Sequence, residues 1–201
     1  MNFGPFTLEN EYTGFFKGKN LILFMAESFN GVAVSEELTP TLYKLINNSF
    51  VFNNYYSTSM YSTVGGELQF NTSLYPLSGL TDIWKEGKNY WPQGIGNVFK
   101  SLDYKVHAYH DNTYNYLDRD RYLNSVGFDN YIGCGNGMED KMNCKPWTES
   151  DIEMIEGTFD DYANEDKFFT YYMSVSGHGL YSYDPSVNVM GSKYNTHIGT
   201  T

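Results

Sequence analysis

Asn20-Leu-Ile-Leu-Phe-Met-Ala26 is an apolar run that stops at a carboxylate, Glu27. Continuous apolarity over this length is the pattern of a strand covered on both faces, as in a parallel sheet between layers of helices. Working outward, Thr39 reads as a helix cap with Pro40 at the first helical position, and Leu42, Leu45 and Ile46 as the core face. Ser49-Phe-Val-Phe-Asn-Asn-Tyr-Tyr56 reads as a short aromatic strand. A helix starts at or just after Thr63, places Leu68 among its apolar positions and ends before Pro76. Ser78 to Gln93, with two Trp and two Gly, reads as an irregular loop. Helices are expected over Ile95 to Leu102 (Val98, Phe99 and Leu102 inward), Tyr122 to Val126, and Glu149 to Ala163 (Ile152, Ile155 and Phe159 inward). Strands are expected at Lys105-Val-His-Ala-Tyr109, running into His110, and at Phe168-Phe-Thr-Tyr-Tyr-Met-Ser174, leading to His178. This alternation predicts an α/β layered fold.

The chain of 201 residues is long enough for one domain with a sizeable core. Nineteen Tyr and fourteen Phe make a heavy aromatic load, expected in clefts or on half-buried faces. A net charge of −11 argues against nonspecific binding to nucleic acid or to an anionic surface. It also means that an anionic substrate needs local positive charge, from a metal or from placed Arg and His side chains. No apolar stretch is long enough to cross a bilayer, and both ends read as cuts in a longer protein. Cys134 and Cys144 match no zinc spacing. In an exported protein they are expected to pair, and otherwise they are two thiols in a loop.

Three of the strand-like runs end near a chemically useful residue: Glu27, His110 and His178. Ligand sites in open α/β sheets gather outside the carboxyl ends of the strands, so these residues are expected on one edge of the sheet. Thr63, at a helix start, lies beside free backbone N–H groups that favour an anion, and its hydroxyl becomes a nucleophile when a metal lowers its proton affinity. Gly65 and Gly66 would let a ligand approach the backbone. Thr63 with Glu67 close behind suits a plain helix cap equally well. Glu27 reads as a ligand for a hard cation or as a cap. Arg119, in Leu117-Asp-Arg-Asp-Arg121, reads as a forked phosphate donor or as part of a surface ion-pair set. His178, between two glycines, can donate to a phosphoryl oxygen or protonate a leaving alkoxide. His107 reads as structural, and His197 is given no role.

Taken in order, these segments resemble the lipoteichoic acid synthase and sulfatase-like phosphoglycerol transferase family of the alkaline phosphatase superfamily. Lys19 to Leu23 with Glu27-Ser-Phe29 resembles its opening strand, and Thr39-Pro-Thr-Leu42 its next helix. Ser49-Phe-Val-Phe-Asn-Asn54 resembles the strand that follows, and Thr63 to Leu77 the nucleophile segment. His110 with Arg119-Asp120 and Gly127-Phe-Asp-Asn130 resembles the substrate pocket, and Ser174-Val-Ser-Gly-His178 a later strand and histidine. The resemblance implies an alkaline-phosphatase/sulfatase-like sheet of mainly parallel strands with helices on both faces, truncated at the C-terminus. Residues 17–201 would be a partial catalytic domain, and 1–16 a linker or preceding segment.

It further implies that Thr63 is the nucleophile and a metal ligand, Glu27 a second metal ligand, and Arg119, His178 and His110 the binders of glycerol phosphate. The cation would be manganese, with magnesium or zinc as alternatives. The donor would be the phosphatidylglycerol head group and the acceptor a glycolipid or polymer. The catalytic domain would lie on the extracellular side of the cell membrane, anchored by upstream helices. The family completes its metal site with a later Asp-His pair, which this chain does not reach, so the chain alone is expected to bind metal weakly and turn over little. Leu117 stands where synthases often carry Trp, and Asn112 where they carry an acid. The alternatives are another phosphotransferase, a phosphodiesterase or a sulfatase of the superfamily, and a non-catalytic binding domain.

Overall fold

The structure, a computed structural model, describes residues 9–54, 62–144 and 150–178. Strands β1 (Leu21–Met25), β2 (Lys105–Thr113), β3 (Asn130–Cys134) and β4 (Phe168–Met173) form one sheet in the order β1-β4-β2-β3. Every pairing is parallel, so all the carboxyl ends lie along one edge. Helices α1 (Pro40–Asn47), α2 (Ser62–Thr72), α3 (Ser78–Lys85) and α4 (Ile95–Ser101) fill the crossover from β1 to β2. Helix α5 (Arg119–Ser125) links β2 to β3, and α6 (Asp151–Thr158) links β3 to β4.

Two cores sit on opposite faces of the sheet, because successive strand side chains point to opposite sides. On one face Leu68, Trp84 and Tyr122 pack against Ala108, Phe169 and Tyr171. On the other, Met138, Met154 and Tyr162 pack against Tyr109 and Tyr172. The aromatic side chains divide between interior and surface: Trp84 packs on Tyr122 at 4.1 Å between centroids with both fully buried, while Phe50, Phe52 and Tyr90 are exposed.

The β2 ladder carries an irregularity that matters for the site. Tyr109 pairs with Ile132, but the next partners are Thr113 and Cys134, so β2 holds extra residues over His110–Asn112. Such a bulge re-aims side chains, and here Ala108 through Asp111 are buried in succession instead of alternating.

Several expectations need correction. Among the described residues the first strand lies at the edge of the sheet and only one of its faces is covered: Ile22 and Phe24 are exposed while Leu21, Leu23 and Met25 pack on the core. Helix α1 forms as expected but buries none of its residues, and Leu45 is 59% exposed. No strand forms over 49–54, where Phe50, Val51 and Phe52 are exposed; Tyr55 and Tyr56 lie outside the described residues, as do Glu149 and the tail from Gly179. The stretch after Ser78 opens with a helix, α3, whose Trp84 seals the core. Helix α4 turns Gly96 and Asn97 inward and leaves Val98 and Leu102 exposed. A side chain at position 96 would meet the Val126 carbonyl oxygen at 2.8 Å, so only glycine allows this approach. In α6 the inward residues are Met154 and Thr158, while Ile152 and Phe159 face outward. The Thr158 hydroxyl shares a hydrogen bond with Tyr172 Oη at 2.8 Å, which selects that face. Strand β3 is an element not expected from its sequence. Cys134 at its end is disulfide-bonded to Cys144, with Cα atoms 5.8 Å apart. No helix of the described residues is long and apolar enough to cross a membrane.

Candidate active site

All five residues singled out in the sequence, Glu27, Thr63, His110, Arg119 and His178, line one cleft of about 270 Å³ at the carboxyl edge of the sheet. The parallel topology brings them together. Glu27 follows β1, His110 lies in the irregular part of β2, and His178 follows β4. Thr63 comes from the first turn of α2 and Arg119 from the start of α5.

The backbone next to these residues is unusual. Ser28, Ser62, Leu117 and Asp118 all have positive φ, between 50° and 64°. Non-glycine residues enter the left-handed region at a cost of about 1–2 kcal/mol each, and such conformations cluster at functional sites. Here they flank Glu27, Thr63 and Arg119.

Glu27 is fixed through its main chain. Its N–H donates to Ser174 Oγ at 2.8 Å, and that hydroxyl reaches back to the Met25 carbonyl at 3.2 Å. The Glu27 side chain accepts from Ser28 Oγ at 3.1 Å. Gly177 passes so near that a Cβ there would lie 2.7 Å from the Glu27 carbonyl oxygen. The loop carrying these contacts is held from α6: the Asp151 carboxylate accepts from the N–H groups of Val175, at 2.7 Å, and Ser176, at 3.2 Å. His178, at the end of the loop, is exposed, and its N–H donates to the Val175 carbonyl at 2.8 Å.

Thr63 is half-buried, and its hydroxyl makes no hydrogen bond among the described residues, so it does not cap α2. Arg119 is not part of a surface ion-pair set. It is 2% exposed, and its Nε donates to the Glu67 carboxylate at 3.1 Å. Glu67 is fully buried and also accepts from Tyr122 Oη and, at 2.8 Å, from Tyr171 Oη. Burial works to lower the Arg119 pKa, but the Glu67 charge beside it holds it above the ordinary value. Burial first, and then Glu67, raises the Tyr122 and Tyr171 hydroxyls well above the usual range, so both stay protonated donors.

His110 lines the cleft but spends both ring nitrogens inside the protein. Nδ1 lies 3.0 Å from the Met173 carbonyl, and Nε2 lies 3.1 Å from Arg119 Nη1. A carbonyl only accepts and a guanidinium only donates, so Nδ1 carries the proton and Nε2 the lone pair. Burial, reinforced by the Arg119 charge, pushes the His110 pKa down to about 3, against the opposing effect of the Met173 bond. The ring is therefore neutral, and it orients Arg119 rather than supplying a free donor.

Glu67, Ser174 and Asp151 are the residues that sequence reasoning missed. Glu67 did leave a signal: it follows Thr63 by four positions, which puts both on one helix face.

Glu27 and Thr63 offer two oxygen donors to the cleft, the type that a hard divalent cation takes. Among the described residues no group of three or more His, Cys, Asp or Glu side chains is placed to hold a metal ion. The donors present thus suit such a cation but form only part of a coordination sphere.

The Sulfatase family model matches residues 19–199. The chain belongs to the sulfatase family. Within that family it is similar to the lipoteichoic acid synthase-like protein YvgJ of Bacillus subtilis, at 25% identity over 85% of this chain and 29% of the relative. It is also similar to lipoteichoic acid synthase 1 of the same organism, at 22% identity over 87% of this chain and 29% of the relative. The fold matches the crystal structure of the lipoteichoic acid synthase LtaP from Listeria monocytogenes with a TM-score of 0.69, at 29% identity over 85% of this chain and 44% of that one. The chain therefore spans less than a third of the length of these curated relatives, and the sulfatase-like parallel sheet with helices on both faces is the shared fold.

Proposed function

We propose that the cleft is the glycerol-phosphate site of a phosphoglycerol transferase. The observation that carries this reading is the convergence of Glu27, Thr63, Arg119 and His178 on one cleft in a sulfatase-family fold. A divalent cation, manganese first and magnesium or zinc next, would be held by Glu27 and Thr63, and would supply charge neutralisation and a lower proton affinity at the hydroxyl. Arg119 binds the phosphate oxygens through N–H groups not engaged by Glu67 or His110. Thr63 releases its hydroxyl proton to solvent and its Oγ1 attacks phosphorus in line; the new O–P bond forms as the bond to the diacylglycerol oxygen breaks. His178 is exposed at the mouth of the cleft, where it can give a proton to that leaving oxygen. A hydroxyl of a glycolipid or polymer acceptor then attacks the same phosphorus, giving its proton back to His178 as the bond to Thr63 Oγ1 breaks, and glycerol phosphate passes to the acceptor. The Cys134–Cys144 disulfide supports an extracellular location, with the membrane reached through helices outside this chain.

Leu117 and Asn112 also line the cleft, and their departure from the synthase pattern favours a second reading, transfer or hydrolysis of a different phosphodiester head group. The test uses the intact protein with vesicles of phosphatidylglycerol or phosphatidylethanolamine and manganese, following diacylglycerol release. The first reading expects release from phosphatidylglycerol, and none from the Thr63→Ala variant. Release from phosphatidylethanolamine alone selects the second reading. Phosphate binding without any release in either form points to a binding domain.

A further inference from the structure

We propose that Glu67 is the positioning residue that aims the Arg119 guanidinium into the cleft, an inference that rests on the phosphate-binding reading above. Three observations carry it.

First, the contact is made at one end of the guanidinium. Glu67 accepts from Nε at 3.1 and 3.3 Å, and His110 Nε2 takes one proton of Nη1 at 3.1 Å. Arg has five N–H donors in a rigid fork. Two are spent in this way, and the remaining three, both protons of Nη2 among them, make no hydrogen bond among the described residues. A buried guanidinium held along its Nε side, with Nη2 unspent and the residue lining the cleft, presents the donor pair that a phosphate oxygen needs.

Second, the carboxylate is held more firmly than an ion pair requires. Glu67 is fully buried and takes two tyrosine hydroxyls, Tyr122 from α5 and Tyr171 from β4, besides Arg119. Its orientation is thus fixed from a helix and from the central sheet at once. Exchanging a buried ion pair for apolar side chains is often neutral or stabilising, so stability alone does not account for this arrangement.

Third, Glu67 and Thr63 share α2 and are four residues apart, stacked on the same helix face. One rigid element therefore sets both the hydroxyl and, through Glu67, the guanidinium. The distance between attacking oxygen and bound phosphate is fixed by a single turn of helix.

The test is a double-mutant cycle on the intact protein, with inorganic phosphate and sn-glycerol 1-phosphate as probes in calorimetric titrations and with phosphatidylglycerol turnover in parallel. Near-UV circular dichroism monitors the fold. Glu67→Gln removes the charge at constant volume and is expected to weaken phosphate binding about 10- to 100-fold, by analogy with the loss of an outer partner that orients a metal ligand. In an Arg119→Ala background the same change is expected to cost less than about twofold, because residues acting as one unit are not additive. Equal losses in both backgrounds would mean a general structural role and overturn the proposal. If Arg119→Ala loses phosphate but Glu67→Gln does not, only the positioning role falls. If Arg119→Ala binds phosphate like the parent, the reading of the cleft falls with it. Should Glu67→Gln fail to fold, Tyr122→Phe keeps both charges and frees one carboxylate oxygen. It is expected to weaken phosphate binding in the parent but not in the Arg119→Ala background, and unchanged binding in the parent overturns the proposal.

Discussion

Gly177→Ala perturbs the site by a single methyl group. Its Cβ would lie 2.7 Å from the Glu27 carbonyl oxygen, a backbone atom. Restoring van der Waals contact requires a shift of about half an ångström or more. Neither side yields easily. The Glu27 N–H is bonded to Ser174 Oγ, and Val175 and Ser176 are tied to the Asp151 carboxylate. Overpacking of this kind costs about 1–3 kcal/mol. For a chain of this length each kcal/mol moves the melting temperature by about 2–4 °C, so a fall of about 2–12 °C is expected in calorimetry. On the reading proposed above, in which Glu27 holds a cation, activity should suffer beyond the loss of stability, because metal–ligand distances tolerate only about ±0.2 Å and the shift falls on Glu27. The assay is manganese-dependent phosphatidylglycerol turnover measured well below the new melting temperature, with Gly31→Ala as the control, since nothing lies within 4 Å of a Cβ there. A Gly177→Ala protein that melts and turns over like the parent would refute the account of how Glu27 is held.

Gly66→Ala is expected to raise stability by about 0.5–1 kcal/mol through helix propensity, because nothing lies within 4 Å of the new Cβ; a lower melting temperature contradicts the packing of α2. If a ligand approaches that backbone closely, the same variant loses activity while gaining stability. Tyr171→Phe removes a donor from the Glu67 carboxylate and is expected to cost about 1.5–3 kcal/mol in denaturant unfolding, and an unchanged midpoint would exclude the bond. His110 has a folded pKa of about 3 against 6.5 for the free side chain. Its contribution is complete above pH 6.5, where both states are neutral, and is lost as pH falls toward 3, because the unfolded chain takes up the proton first. Between pH 6 and 4 this amounts to about 1.4 kcal/mol per pH unit. Urea titrations should show that slope flattened by about that amount in His110→Asn.

Strands β1 and β4 were legible as apolar runs and β2 as an alternating one, each leading into polar residues, among them Glu27, His110 and His178. Strand β3, Asn130-Tyr-Ile-Gly-Cys134, lacks such a run: the Gly133 backbone packs against Tyr114, where a Cβ would come within 2.8 Å of its Cα, so the missing side chain that hides the strand in the sequence is what lets it dock. The face of α6 was misread because two stripes compete on it, and a threonine–tyrosine bond and the close approach of Gly157 to the Lys141 carbonyl decide between them. The shared edge of Glu27, His110 and His178 followed from the parallel topology, whereas Thr63 and Arg119, on α2 and α5, were joined to it only by the family resemblance. The wiring of the site was not legible, because an acid in a helix reads as a solvated side chain until the tyrosines that cover it, one on α5 and one on β4, are seen to converge.

The pairing of Glu67 with Arg119 has a consequence for how the cleft meets its ligand. With His110 uncharged, the buried trio sums to zero, on a protein whose net charge is −11. The guanidinium gives direction at contact but projects almost no attraction into solvent. On the reading proposed above, attraction of an anionic head group would then come from the cation held by Glu27 and Thr63 rather than from the buried trio, and with that cation absent added salt, by shortening the Debye length, should speed the encounter rather than slow it.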